Sequence, residues 1–194
     1  MYNFDALMSR LKYIPRWSLM RQANVESVAR HTFETAMLAH TLGLLAKEVF
    51  SRDVNSDRLV VAALYHDASE ILTGDMPTPV KYSNERLKTA YKDMEMHAVE
   101  SLAGTSHPRL KKDLLSCMTG ESLTDYDKKL LKAADKISAL IKCIEERESG
   151  NREFDSAYTS TLKAIKDMKL EEADFFLENM VDAYSLCLDQ LCEI

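Results

Sequence analysis

The sequence predicts an all-α fold in a single domain over residues 1–194, on three observations. Apolar side chains recur at spacings of three and four, as the buried face of a helix requires. No run alternates apolar and polar residues in the manner of a half-buried strand. Only 5 Gly and 4 Pro occur among 194 residues, too little punctuation for the frequent tight turns of a β-protein. With 46% hydrophobic and 29% charged residues, the chain can bury a core and keep a solvated surface. That balance excludes disorder and collagen-like repeats.

Taken in order, a short amphipathic stretch runs from Phe4 to Tyr13 and stops before Pro15. A long helix follows from Val25 to Phe50, with Val28, Ala36, Leu38, Leu42 and Leu45 as its apolar positions. The next, Asp57 to Leu72, contains the run LVVAALY and reads as the most buried helix. Asn55 or Ser56 suits its N-cap and Gly74 its stop. Further helices are expected over Asn84–Ala103, Pro108–Cys117, Asp125–Ser149, Phe154–Met168 and Glu171–Leu191. The clearest is Asp125–Ser149, where Leu130, Ala133, Ala134, Ile137, Leu140, Ile141 and Ile144 form one stripe and Gly150 closes it. The rhythm breaks at Thr73–Pro79, whose two prolines and glycine predict a rigid, extended loop at the mouth of a buried helix.

Charge narrows the function. Lys and Arg number 25 against 31 Asp and Glu, for a net charge of -6. A chain of that sign has no general field for phosphate polymers, so nucleic-acid binding is not expected. The first ten residues hold no apolar signal segment, and no stretch reaches membrane-spanning length. Cys117, Cys143, Cys187 and Cys192 form no C-x-x-C pair and are expected as reduced, packed thiols in a cytoplasmic protein.

The chemistry concentrates in Tyr65-His66-Asp67-Ala68-Ser69-Glu70. Three ionisable groups within one and a half turns of an apolar helix are costly unless a metal or partners compensate. An adjacent imidazole and carboxylate suit a divalent ion with mixed nitrogen and oxygen ligands, and further ligands must come from elsewhere. His31, and Asp135 beside Ala133 and Ala134, are the candidates. Each has a plainer reading: His31 as a core histidine, Asp135 as the surface partner of Lys132 or Lys136.

The order His31, His66-Asp67, Asp135 resembles the HD-domain phosphohydrolase superfamily. The segments Ile14–Arg21, Glu26–His31, Tyr65–Tyr82 and Lys132–Asp135, followed by Leu140–Glu146, are similar to the YfbR-type bacterial 5′-deoxynucleotidases over the whole chain. Arg30, where that family's pattern has Glu, is a departure beside the site. The resemblance implies a homodimeric enzyme that hydrolyses 5′-deoxyribonucleoside monophosphates with one divalent metal ion, a transition metal such as Co or Mn. It implies His31, His66, Asp67 and Asp135 as metal ligands and Glu70 as the residue that acts on water. It also implies Arg16 on the phosphate, with His31 and Asp67 near it, and Trp17 against the sugar. Asp75 would meet the 3′-hydroxyl, and the loop of Asp75, Met76, Pro77 and Thr78 would close on the nucleotide. Two alternatives keep the fold: an HD hydrolase of another nucleotide phosphoester, and a catalytically silent helical binding module. His40, His97 and His107 lack carboxylate partners at ligand spacing, and Glu145, Glu146 and Glu148 read as a solvated face offset by Lys142 and Arg147.

Overall fold

The apolar stripe between Asp125 and Glu148 forms the spine of the molecule in the computed structural model, which describes residues 1–192. This helix, α8, starts at a reciprocal cap. The Thr124 hydroxyl accepts from the Asp127 amide at 3.1 Å, and the Asp127 carboxylate accepts from the Thr124 amide at 3.0 Å. Gly150, at φ 80°, follows its end. All seven expected stripe residues are buried.

Helix α2 (Val28–Leu44), capped by Ser27, and α3 (Ser56–Tyr65), capped by Asn55, complete the main core with α8. α2 ends in a π turn, Leu45–Val49. α2 and α3 approach closely because Gly43 has no side chain. A Cβ there would lie 3.0 Å from Ser56 Cβ and 3.1 Å from Ser56 Cα. A smaller second core joins Phe4 of α1 (Phe4–Met8), Val99, Leu102 and Ala103 of α6 (Glu85–Gly104) and Met118 of α7 (Lys111–Thr119). Ala68 belongs to this second core. The turn after α3 is thereby anchored in this second core.

Several expectations change. The helix expected over 57–72 stops at Tyr65, because the His66 imidazole takes the Ala63 carbonyl at 2.7 Å and the chain tightens into three-residue turns through Ala68 and Glu70. α4 (Glu70–Thr73) then resumes and ends at Gly74, φ 70°. α3 is not the most buried helix: its apolar run is hydrophobic all round, so Val61 and Leu64 face outward while α2 and α8 carry the core. The proline loop is extended at Pro77, but Pro79 sits in the first turn of a short helix, α5 (Thr78–Lys81), where a missing amide costs nothing.

The first stretch tightens into a 3₁₀ turn over Ser9–Tyr13. Phe154 ends a 3₁₀ turn before α9 (Asp155–Lys166). The last expected helix divides into α10 (Glu171–Asn179), a 3₁₀ turn over Val181–Ser185, and α11 (Leu188–Leu191). All four cysteines are free thiols, yet only Cys143 is buried, while Cys187 and Cys192 are exposed. Among the described residues the only β pairing is an isolated bridge between Pro15 and Ser27.

Candidate metal centre and active site

α2, α8 and the turn after α3 bring together four side chains from three distant parts of the sequence. His31, Asp135 and the pair His66-Asp67 come from these three places in turn. His31, His66 and Asp67 each offer a ligand atom within 4.8 Å of the others. Asp135 joins through His31, with Oδ1 3.2 Å from Nε2, and Asp67 Oδ2 lies 3.6 Å from the same nitrogen. Asp135 also meets Lys132 at 2.7 Å, so the surface pairing and the site contact occur together, one on each carboxylate oxygen.

Both imidazoles are oriented from behind. His66 Nδ1 faces the Ala63 carbonyl, a contact only an Nδ1–H can satisfy, which turns Nε2 into the cluster. That Nε2 is buried, 3.1 Å from Asp67 Oδ2 but at an angle that makes no hydrogen bond. His31 Nδ1 meets Ser138 Oγ at 2.9 Å. Two imidazoles and two carboxylates with an orphaned buried nitrogen fit a divalent ion that takes mixed nitrogen and oxygen ligands.

The electrostatics are those of closely packed, buried charges that shift one another. Burial, reinforced by the Arg16 guanidinium, lowers His31 to about 4. Burial also opposes the charged form of His66, but the Asp67 carboxylate outweighs it and lifts His66 to about 9. Asp67 moves the other way, to about 2, since the His66 imidazolium overrides desolvation. Asp135 is held well below the carboxylate range by His31 and Lys132 against the same desolvation. Glu70 is pushed up to about 10 by burial and by the neighbouring Asp67 and Asp75. Its Oε2 is buried without a hydrogen-bond partner, which disfavours the carboxylate in the same direction.

Arg16 and Trp17 reach this place through the bridge at Pro15 and Ser27, where the Arg16 amide donates to the Glu26 carbonyl at 2.9 Å. The carboxylates of Glu26, Asp67, Asp135 and Asp75 all favour, against burial, the charged form of the Arg16 guanidinium. Its Nη1, 3.4 Å from Glu26 Oε2, is buried without a hydrogen bond. Trp17 adopts φ 58°, a conformation costly for a residue with a Cβ. It is held by its indole N–H, which donates to Glu26 Oε2 at 2.9 Å, and by Phe154, 5.3 Å from its ring. The Trp17 backbone near Asp75 favours its carboxylate, but burial outweighs this and raises the carboxyl. Met76 and Pro77 are half-buried in the following loop and Thr78 is exposed at the start of α5. Among the described residues no side-chain hydrogen bond ties these three to the cluster.

Beside His66 and Asp135 a mostly apolar hollow of about 250 Å³ opens between α3, α7 and α8, walled by Met118, Leu123 and Leu131. A second hollow of about 310 Å³, around Arg147, Arg152 and Tyr158, lies away from the histidines. Its two arginines are paired with Asp155, at 2.9 and 3.6 Å.

Three residues were not legible as parts of the site. Glu26, only 1% exposed, bridges Arg16 and Trp17. Ser138 backs His31, and its position inside the apolar stripe of α8, three residues after Asp135, is the signal that marks it. Glu146 is the correction: it is buried with Lys142, not part of a solvated face. The pair clamps the loop before α2, for the Glu146 carboxylate accepts the Ala23 and Asn24 amides and Lys142 donates to the Asn24 carbonyl. Glu145 does face outward, where it pairs with Arg30 at 2.8 Å.

Comparison with known proteins places this architecture among relatives. A 5′-deoxynucleotidase of Photorhabdus laumondii is 38% identical over 98% of this chain and 97% of its own length. The 5′-deoxynucleotidase YfbR of Escherichia coli is 38% identical over 98% of this chain and 96% of its own. Among solved structures, an HD-domain phosphohydrolase of Listeria innocua matches with a TM-score of 0.82 and 23% identity, over 94% of this chain and 88% of that one. The cyanophage S-2L HD phosphohydrolase DatZ, solved with dA and one catalytic Zn²⁺ ion, matches at 0.67 and 17% identity, over 91% of this chain and 95% of that one. The YfbR-like 5′-deoxynucleotidase family matches residues 3–184, and with nearly the whole chain aligned at that identity, this protein belongs to it.

Proposed function

We propose that this chain is a metal-dependent phosphomonoesterase that hydrolyses 5′-deoxyribonucleoside monophosphates to deoxynucleoside and phosphate. The observation that carries the reading is the convergence of His31, His66, Asp67 and Asp135 with two unsatisfied polar atoms, Arg16 Nη1 and Glu70 Oε2, in one buried place. The four side chains would hold the ion, a transition metal such as Co²⁺ or Mn²⁺. DatZ holds Zn²⁺. When bound, a divalent ion polarises phosphoryl oxygens and lowers the pKa of a coordinated water.

The remaining work belongs to the chain. Arg16, with Glu26 behind it, presents a guanidinium edge that fits the equatorial oxygens of a phosphate. Glu70 stands one turn from Asp67, and its carboxylate form would take the attacking water's proton. His31 and Asp67 border the phosphate, and Trp17 covers the sugar. Asp75 accepts the 3′-hydroxyl, and Met76, Pro77 and Thr78 close over the nucleotide from their loop. The protein works as a single domain, a homodimer and a cytoplasmic enzyme in this reading. No helix among the described residues is long and apolar enough to cross a membrane.

Phosphate release from a panel of deoxy- and ribonucleoside monophosphates, with elemental analysis and a chelator and add-back series, tests the proposal. Asp67→Ala is expected to lose both ion and activity. Glu70→Ala is expected to keep ion and nucleotide affinity while turnover falls by about 10²-fold or more. Full activity in the chelated protein would overturn the metal assignment.

A further inference from the structure

We infer that Ser138, Glu34 and Arg30 form an outer relay that holds His31 in its metal-binding tautomer, making Ser138 and Glu34 positioning residues of the metal centre. The inference rests on the proposed metal site. Ser138 Oγ lies 2.9 Å from His31 Nδ1, and both residues are fully buried. The same hydroxyl donates to Glu34 Oε2 at 3.4 Å. A hydroxyl has one proton; given to the carboxylate, it leaves only lone pairs towards the imidazole. His31 must then carry its proton on Nδ1, and its Nε2, 3.2 Å from Asp135 and 3.6 Å from Asp67, is left with the lone pair that a metal needs. Imidazole ligands whose second nitrogen donates towards a carboxylate are better oriented and more basic. Here a serine inserts between the two.

Glu34 is itself fixed. Arg30 Nε donates to Glu34 Oε1 at 3.0 Å, and Arg30 Nη2 reaches both oxygens of Glu145 on α8, at 3.0 and 2.8 Å. The guanidinium bridges α2 to α8 and aims Oε2 of Glu34 at Ser138. Arg30, next to His31, is thereby given a task that a residue without a donor at that position could not perform. His66 has no such relay, since its Nδ1 is met by the backbone at Ala63. The two imidazoles are therefore separable by mutation: one depends on side chains, the other on the main chain.

The test is Co²⁺ affinity by competition with a chromophoric chelator, with the visible spectrum of the Co²⁺-loaded protein and the melting temperature of the metal-free protein. Ser138→Ala is expected to weaken Co²⁺ binding by about 10–100-fold and to alter the ligand-field bands. Glu34→Gln, at a partly exposed position, keeps the shape but loses the charge and is expected to weaken binding by a smaller factor. Its metal-free melting temperature should stay at the wild-type value, so the loss cannot be put down to folding. Should Ser138→Ala fail to fold, the Glu34→Gln affinity decides alone. Wild-type affinity and spectrum in the folded variants would overturn the relay while leaving the metal site standing. A wild-type protein that takes up no divalent ion would overturn both.

Discussion

Trp17 shows how much rests on single residues. Its φ of 58° costs on the order of 1–2 kcal/mol for a residue with a Cβ, and that cost is offset by the Glu26 hydrogen bond and the Phe154 contact. The indole N–H is committed to Glu26, so the ring has neither a free donor nor an acceptor for a sugar hydroxyl. A ribonucleotide packed against it would bury an unpaired 2′-hydroxyl, at about 1–3 kcal/mol, or roughly 10–200-fold in kcat/KM. Trp17→Ala is expected to narrow the deoxy-to-ribo ratio even as both rates fall. A folded variant that keeps the wild-type ratio would remove Trp17 as the sugar gate. His66-Asp67 was legible because adjacency in the chain already implies adjacency in space. Glu26 and Ser138 were not, because a carboxylate or a hydroxyl acquires its role only from what faces it.

Among the elements, α8 does two jobs on one face. Asp135, Ser138, Lys142 and Glu146 recur at spacings of three and four inside its apolar stripe. The first two contact His31, and the last two hold the loop that follows Arg16 and Trp17. A polar seam in a buried stripe keeps these residues only because every member is paired. The contact between α2 and α3 is the other determinant, for it brings His31 and His66 together. Helix propensity alone favours Gly43→Ala by about 1 kcal/mol. The added Cβ would lie 3.1 Å from Ser56 Cα, a backbone atom that cannot turn aside. Overpacking of about 1–3 kcal/mol then prevails. The variant is expected to melt several degrees lower and to bind metal more weakly; an unchanged melting temperature would contradict the close approach.

For the whole molecule, the site makes the metal-free protein sensitive to alkali. His66 titrates at about 9 in the folded state against 6.5 unfolded, and Glu70 at about 10 against 4.5. Between pH 7 and 9 the folded chain retains protons that the unfolded chain has released, so stability falls as pH rises. His31, lowered to about 4, is neutral throughout that window and does not oppose the trend. With nearly two protons retained, the slope is about 2–2.5 kcal/mol per pH unit. That corresponds to several degrees in melting temperature per unit. Glu70→Gln is expected to flatten the slope by about half. A melting temperature independent of pH from 7 to 9 in the metal-free wild type would show that these groups are not buried together.

By itself the sequence determined the helical class, the course of α8, most helix positions and the His66-Asp67 pair, while His31 and Asp135 were marked as its companions only by the resemblance to a known family. Periodicity reports which face is buried, and a run of motif residues reports chemistry that local spacing preserves. Tertiary structure alone decided the rest. The apolar helix breaks at His66 because an imidazole competes for the Ala63 carbonyl, and no propensity records that competition. Lys142 and Glu146 are buried because the loop around Ala23 and Asn24 folds over them and supplies the amides and the carbonyl that the pair needs. Whether a charge is solvated or enclosed depends on what packs above it, and that is settled by residues more than a hundred positions away.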